Sequence, residues 1–153
     1  VVLALVMTAA VFGWMLSVSL VPQKISEFLV SVAGNKYVLL LFINIFLLVV
    51  GMFMEATAAN LILAPILVPV MMSFGISQTQ ACVMMILNLM IGVITPPVGI
   101  VLYVVSNVSK VSFERVMKAS IPFLIPLFLV LILVTLIPGV TTFIPNLVFG
   151  PEI

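Results

Sequence analysis

The stretch Asn88-Leu-Met-Ile-Gly-Val-Ile-Thr-Pro-Pro-Val-Gly99 decides the fold, because it interrupts an apolar run from Ala81 to Val108. Two consecutive prolines lack the amide hydrogens of a straight helix, so the carbonyls of Gly92 and Val93 would stay unpaired. The residue before a proline also avoids the helical conformation, which pushes Thr95 out of the helix. We therefore predict a helix, an unwound loop and a second half-helix.

The composition predicts an α-helical integral membrane protein. Of the 153 residues, 65% are hydrophobic and 6% are charged, against about 25% charged residues in an average soluble domain. No charge occurs between Glu55 and Lys110, and a span needs only about 20 apolar residues. One cysteine and no histidine exclude a disulfide framework and the usual zinc site. No basic patch suits nucleic acid.

Five segments are predicted along the chain, which begins inside an apolar run as the C-terminal part of a longer protein would. Residues 1–36 hold a transmembrane span and an interfacial amphipathic helix, and residues 37–77 a re-entrant hairpin. Residues 78–108 form the discontinuous transmembrane helix. Residues 109–120 are a connector, and residues 121–153 the last transmembrane helix with a C-terminal tail. The connector carries three of the five cationic residues, which favours the cytoplasmic side.

The hairpin prediction rests on the polar interruption Gly51-Met-Phe-Met-Glu-Ala-Thr-Ala-Ala-Asn60. The limb that follows it, Leu61 to Met72, has about 12 residues, or about 18 Å of helix. That is short of the hydrocarbon core of about 30 Å, and Pro65 and Pro69 weaken its helical hydrogen bonding. Two limbs around a polar tip, one of them too short to span, predict a re-entrant hairpin rather than two spans.

Paired breaks in membrane helices point to the binding site of a secondary transporter. Irregular backbone is tolerated in a bilayer only where protein or a water-filled cavity covers it. Free carbonyls and helix C-termini suit Na⁺, and helix N-termini suit a carboxylate. The break offers the carbonyls of Gly92 and Val93 and the Thr95 hydroxyl as candidate Na⁺ ligands, and the hairpin tip offers Gly51 and Thr57. The alternative for Thr-Pro-Pro is a helix kink that binds nothing.

Further polar residues support this site in the prediction. Glu55 is the one acid of the apolar middle of the chain, and an intramembrane acid is a functional candidate. The alternative is that Glu55 only caps a half-helix. Asn60 belongs to the tip, and Asn88 lies one helical turn before the break, whereas Asn44 is expected to bond neighbouring helices. Motifs for ATP binding and hydrolysis are missing. We therefore expect no enzyme activity and no organic cofactor.

Three stretches resemble the large membrane subunit of tripartite ATP-independent periplasmic (TRAP) transporters: Gly51-Met-Phe-Met-Glu55, Leu63-Ala-Pro-Ile-Leu-Val-Pro69 and the Asn88–Gly99 stretch. The resemblance covers essentially the whole chain, as the C-terminal half of a longer multi-pass subunit of the bacterial inner membrane. It implies one inverted repeat of an elevator-type, Na⁺-coupled importer of organic acids such as C4-dicarboxylates or sialic acid. The same resemblance implies that residues 1–36 belong to the scaffold. It also implies that the Na⁺ site lies between the hairpin tip, with Gly51 and Thr57, and the loop with Gly92, Val93, Thr95 and Pro96. It also implies three partners besides the lipid bilayer: a small membrane subunit, a periplasmic substrate-binding protein and the N-terminal half of the same subunit.

Two alternatives stay open from the residues. A divalent-anion/Na⁺ symporter of the same broad fold would be expected to carry a Ser-Asn-Thr hairpin tip, where residues 55–60 read Glu-Ala-Thr-Ala-Ala-Asn. The other alternative is a channel or a non-transporting structural membrane subunit. A channel should show one continuous polar helix face, and a structural subunit has no need of two breaks.

Overall fold

The computed structural model describes residues 35–96 and 99–150, together with positions 7, 11, 14, 15, 18–20, 24 and 27. The continuous ranges contain six helices: α1 Lys36–Phe53, α2 Ala56–Ser73, α3 Gln78–Val93, α4 Ile100–Ser109, α5 Phe113–Leu136 and α6 Pro138–Phe149. No strand occurs within the described residues, so the all-α prediction is confirmed. The scaffold span and interfacial helix predicted for residues 1–36 fall almost entirely outside the described part.

Among the described helices, α1, α2 and α5 are long and apolar enough to cross a membrane. Helices α1 and α2 have 18 residues each, about 27 Å of helix, and α5 has 24 residues, about 36 Å. Large apolar side chains are exposed along the outer faces of these helices. Such faces suit lipid or other membrane-embedded protein, so the helices fit a multi-pass membrane protein.

Helix α2 corrects the predicted limb Leu61–Met72. The helix begins earlier, at Ala56, because the Glu55 side chain caps its first free amides. Pro65 and Pro69 lie inside the helix without ending it. The prediction that this limb is too short to span is therefore wrong, since α2 is as long as α1.

Helix α3 is the centre of the structure. Helices α1 and α2 both pack against α3 and touch each other far less, and α5 packs along α3 as well. The largest fully buried apolar side chains come from these packed faces: Leu39, Leu47, Val70, Met71, Met84, Met85, Leu89 and Ile91. Because α3 leads directly into the predicted break, this packing fixes the position of the break relative to the hairpin.

The predicted break in the third apolar run is present, since α3 ends at Val93 and α4 begins at Ile100. Gly99 precedes α4 with φ +51°, a left-handed conformation that favours glycine. The predicted connector, residues 109–120, is shorter in the structure because α5 already begins at Phe113. The tail after the last span is largely helical, as α6.

Candidate functional site

Glycines Gly51 and Gly92 meet where α1 and α3 cross. A Cβ atom built on Gly92 would lie 2.8 Å from the Cα of Gly51 and 2.9 Å from the carbonyl oxygen of Leu48. A Cβ atom on Gly51 would lie 2.7 Å from the carbonyl oxygen of Leu89. These neighbours are backbone atoms that cannot rotate away, so both positions require glycine. Two predicted site residues are thus brought together in a backbone contact of the kind that small residues permit between membrane helices.

Helices α1 and α3 run in the same direction and end side by side. Asn44 bonds Asn88 earlier along the two helices, and Gly51 contacts Gly92 further along both. Helix α1 ends two residues after Gly51, and α3 ends one residue after Gly92. The free carbonyls and negative dipole ends of both helices therefore lie close together, an arrangement that suits a cation.

The last turn of α3 differs from the prediction in one respect. The carbonyl of Gly92 has a partner, because the Thr95 amide donates to it at 2.9 Å. The expectation that it stays unpaired is wrong because the chain tightens into a turn that reaches back three residues, as 3₁₀ turns at helix ends do. For the Val93 carbonyl, no hydrogen bond is found within the described residues.

The end of α1 leaves carbonyls unpaired as well. The Met54 amide donates to the carbonyl of Val50 at 2.9 Å, and this is the last backbone bond of the helix. The carbonyl of Gly51 therefore has no helical partner. Oxygen atoms from both predicted breaks are available where the two helices end.

Thr95 is buried directly after α3, with 9% of its surface exposed. Its hydroxyl donates to the carbonyl of Ile91 at 2.6 Å, and its amide is bonded to Gly92. A hydroxyl that donates its proton keeps its lone pairs, so the Thr95 oxygen can still face a cation. Pro96, half-buried, follows it and prevents the helix from continuing.

Glu55 is the N-cap of α2. Its Oε1 accepts a hydrogen bond from the amide of Thr57 and its Oε2 from the amide of Ala58, both at 2.8 Å. The capping alternative for Glu55 is therefore present in the structure, where the positive end of the helix dipole stabilises the carboxylate. Asn60 lies half-buried one turn further along α2, with no described hydrogen bond to Gly92 or Thr95.

Asn88 is fully buried against α1. Its Nδ2 donates to the backbone oxygen of Asn44 at 3.0 Å and to the Oδ1 of Asn44 at 2.6 Å. The Nδ2 of Asn44 donates to the carbonyl of Leu40 at 2.7 Å and to the Oγ1 of Thr135 at 3.3 Å. The prediction that Asn44 bonds neighbouring helices is confirmed, and the hydrogen bonds of Asn88 go to Asn44 rather than to the loop after α3.

Two further buried polar residues, Gln80 and Thr135, were not predicted from the sequence. Gln80, 3% exposed, donates from Nε2 to the carbonyls of Val134 and Thr135 at 3.1 and 3.0 Å. It stands in the first turn of α3, where its polar neighbours in the sequence suggest a solvated loop. Thr135 stands in an apolar span, where a lone threonine gives no signal of its partner.

An apolar groove of about 320 Å³ separates α1 from α5. Its walls are aliphatic and aromatic: Leu41, Ile45, Leu48, Phe128, Leu131 and Ile132. Asn44 and Thr135 border it, but they bond each other. The groove therefore suits hydrocarbon and offers no partner for the carboxylate of an organic acid. Within the described residues no group of three or more His, Cys, Asp or Glu side chains could hold a metal.

Comparison with known proteins identifies the family. The sequence profile described as "Tripartite ATP-independent periplasmic transporter, DctM component" matches residues 1–140. The chain is 44% identical over 150 residues to the sialic acid TRAP transporter large permease protein SiaM of Vibrio cholerae, covering 98% of the chain and 35% of that protein. It is 39% identical over 149 residues to the C4-dicarboxylate large permease DctM of the same organism, covering 97% and 33%.

A third relative, the sialic acid TRAP transporter permease protein SiaT of Haemophilus influenzae, is 41% identical over 147 residues, which are 96% of the chain and 24% of that protein. The chain thus spans about a third or less of the length of these relatives. The match confirms the resemblance carried by the three stretches of sequence. With three candidate spans in the part of the chain that the structure describes, the chain is an integral membrane protein of the bacterial inner membrane, and it belongs to the DctM component family of TRAP transporters.

Proposed function

We propose that this chain supplies part of the ion and substrate site of a Na⁺-coupled importer of organic acids. The observation that carries the proposal is the meeting of two helix C-terminal ends at Gly51 and Gly92, with the buried Thr95 hydroxyl directly after one of them. Negative dipole ends and neutral oxygens suit Na⁺ and offer little to a transition metal. Coupling to Na⁺ requires no nucleotide-binding motif.

The proposed Na⁺ ligands are neutral oxygen atoms. The carbonyls of Gly51 and Val93 lack helical partners, and the Thr95 hydroxyl keeps its lone pairs. A carbonyl that accepts one hydrogen bond has a second lone pair, so the carbonyl of Gly92 remains a candidate. Thr57 is a weaker candidate because its side chain is exposed and its amide already donates to the Glu55 carboxylate.

The length of helix α5 indicates how far apart its contacts with α3 and α4 lie across the membrane. Near its end, the carbonyls of Val134 and Thr135 bond Gln80 of α3. At its start, Phe113 stacks on Tyr103 of α4 with ring centroids 4.2 Å apart. About 32 Å of helix separates these two contacts, close to the hydrocarbon thickness of about 30 Å. Helices α3 and α4 therefore contact opposite ends of one span, which supports a single crossing interrupted by the break.

The same measure supports a re-entrant hairpin. Gly92 follows Gln80 by about 18 Å of helix, so it lies well inside the distance of about 32 Å covered by α5. Gly51 contacts Gly92, and the link between α1 and α2 begins three residues later. The hairpin tip then lies within the membrane thickness, which is the arrangement expected of an ion site enclosed by protein.

An organic acid is the proposed substrate class. The relatives are named for sialic acid and C4-dicarboxylates, which both carry carboxylates. The two helix N-termini at the breaks differ in their capacity for such a group. Glu55 already occupies the start of α2, whereas the start of α4 at Gly99 has no side-chain cap. The start of α4 is the better place for a substrate carboxylate.

The proposed partners follow from the family. They are a small membrane subunit, a periplasmic substrate-binding protein and the remaining part of the same subunit, with the hairpin and broken helix moving together in an elevator mechanism. Membership of the DctM family favours this function over a divalent-anion symporter. The converging helix ends favour it over a purely structural subunit, which needs no such site.

Substituting Thr95 by Val tests the Na⁺ site. The side chain keeps its shape but loses the oxygen, so the Na⁺ concentration for half-maximal uptake should rise. Loss of a hydrogen-bond-scale interaction of about 1–3 kcal/mol corresponds to roughly a five- to hundredfold increase. Uptake of labelled sialic acid or a C4-dicarboxylate is measured in proteoliposomes containing the complete transporter, without ATP.

The matched control is Thr95→Ser, which keeps the hydroxyl and its bond to Ile91 and should keep the Na⁺ dependence. If Thr95→Val leaves the half-maximal Na⁺ concentration unchanged, the break is only a kink. If uptake by the wild-type transporter does not depend on the Na⁺ concentration, the proposed coupling to Na⁺ is refuted.

A further inference from the structure

Asn44 and Asn88, the asparagine pair, join α1 to α3 below the proposed Na⁺ site. Asn44 precedes Gly51 by about two helical turns, and Asn88 precedes Gly92 by about one helical turn. We propose that the asparagine pair sets the register between α1 and α3 and thereby the affinity of the site for Na⁺. Both asparagines are then positioning residues and not ligands. The inference rests on the proposed function.

The contact between the glycines cannot set the register by itself. Gly51 and Gly92 meet through backbone atoms, with no side chain to interlock. The asparagine pair provides what the glycines lack, because both protons of the Asn88 Nδ2 are used, one on the backbone oxygen and one on the Oδ1 of Asn44. A two-point contact of this kind fixes both the sliding and the rotation of one helix against the other.

Stability alone does not explain Asn88. Its side chain is 0% exposed, and its Oδ1 accepts no hydrogen bond within the described residues. A buried acceptor without a donor is destabilising, and an apolar side chain of similar size would avoid that penalty. A polar group kept in an unfavourable place is expected where function requires it, here one turn before the helix end that bears the site.

The link from the asparagine pair to α5 is separable from the register of α1 and α3. Asn44 reaches α5 only through the Oγ1 of Thr135, at 3.3 Å, within the described residues. The apolar groove otherwise separates the two helices. Thr135→Val removes this bond and leaves both bonds between Asn44 and Asn88 intact, so it is the matched control.

The test measures uptake of labelled sialic acid or a C4-dicarboxylate against Na⁺ concentration, in proteoliposomes containing the complete transporter. Asn88→Leu should raise the half-maximal Na⁺ concentration about three- to twentyfold, the range expected for interhelical hydrogen bonds in membranes. Thr135→Val should leave it unchanged. A purely structural role for Asn88 would instead lower the amount of folded protein or the maximal rate, with the Na⁺ dependence unaltered, and would overturn the inference.

A second variant keeps the test decisive if Asn88→Leu fails to accumulate. Asn88→Gln retains the amide but displaces it by one methylene, so it should also raise the half-maximal Na⁺ concentration. Combined with Thr95→Val, either Asn88 variant should give less than the sum of the separate effects, because both act on the same loop. Na⁺-dependent uptake that is unaltered in the Asn88 variants overturns the positioning role alone. Wild-type uptake independent of Na⁺ overturns the proposed function and the positioning role together.

Discussion

The break between α1 and α2 and the break between α3 and α4 differ in their length and in their polar groups. Between α1 and α2 the chain uses two residues, Met54 and Glu55, and the carboxylate of Glu55 binds the free amides of the next helix. Between α3 and α4 the chain uses six residues, 94–99, with two prolines and no charged side chain. The helix that follows has no side-chain cap. In the first break, the Glu55 side chain accepts hydrogen bonds from the free amides of α2. In the second break, the free amides at the start of α4 have no side-chain acceptor and can face a ligand.

The largest expected effect on transport and stability comes from a substitution that pushes α1 and α3 apart at the contact between Gly51 and Gly92. Gly92→Ala places a Cβ atom 2.8 Å from the Cα of Gly51, and neither helix can yield by rotating a side chain. Overpacking of this kind costs about 1–3 kcal/mol, and we expect the upper part of that range. Transport should be lost, and the thermal unfolding temperature of the purified transporter should fall.

The control for this variant is Gly139→Ala on α6. No atom lies within 4 Å of a Cβ atom built there, so alanine should be neutral or slightly favourable in the helix. If Gly92→Ala transports normally, the helices do not approach as closely in the membrane, and the shared site at their ends loses its main support.

The rate at which cysteines react with an impermeant reagent tests how deep the first break lies in the membrane. In a Cys82→Ser background, a cysteine at Gln78 should react with a membrane-impermeant maleimide from one side and a cysteine at Ser112 from the other. A cysteine at Met54 should react much more slowly from either side, because a re-entrant tip is enclosed. Rapid reaction of Met54→Cys from the same side as Ser112→Cys would mean that α1 and α2 are two complete spans.

The smallest expected effect concerns the cap of the first break. Glu55→Ala removes both acceptors at the start of α2 and should lower thermal stability modestly, with the Na⁺ dependence of uptake retained. Asn is also a good N-cap, so Glu55→Asn should restore most of the stability. If only Glu55→Asp restores the protein, the negative charge matters and capping is not the whole role.

The second break could be predicted from the sequence because its cause is local. Two consecutive prolines remove two neighbouring amide donors and restrict the preceding residue, so Pro96 and Pro97 predict a break where the single prolines Pro65 and Pro69 do not end α2. The start of α2 could not be predicted in the same way. Residues 55–60 read as a polar interruption between two apolar runs, whereas in the structure the Glu55 carboxylate caps the amides of Thr57 and Ala58 and the helix begins at Ala56.

For the candidate site, the sequence indicates which residues to consider and does not indicate how they contact one another. The sequence indicates that Gly51, Gly92 and Thr95 belong together, but the paired carbonyl of Gly92 depends on how tightly the last turn closes. The bond between Asn44 and Asn88 depends on the direction and register of two helices 44 residues apart along the chain. Neither a hydropathy pattern nor a motif contains that information.

The central place of α3 has a consequence for the biogenesis of the protein. Synthesis proceeds from the N-terminus, so α1 and α2 leave the ribosome before the helix on which they both pack. The cap at Glu55 can form at once, because it involves only residues 55–58. Helices α1 and α2 touch each other little, so their main partner among the described helices is made after them. Their packing within this part of the chain has to wait for the next 20 residues, 74–93.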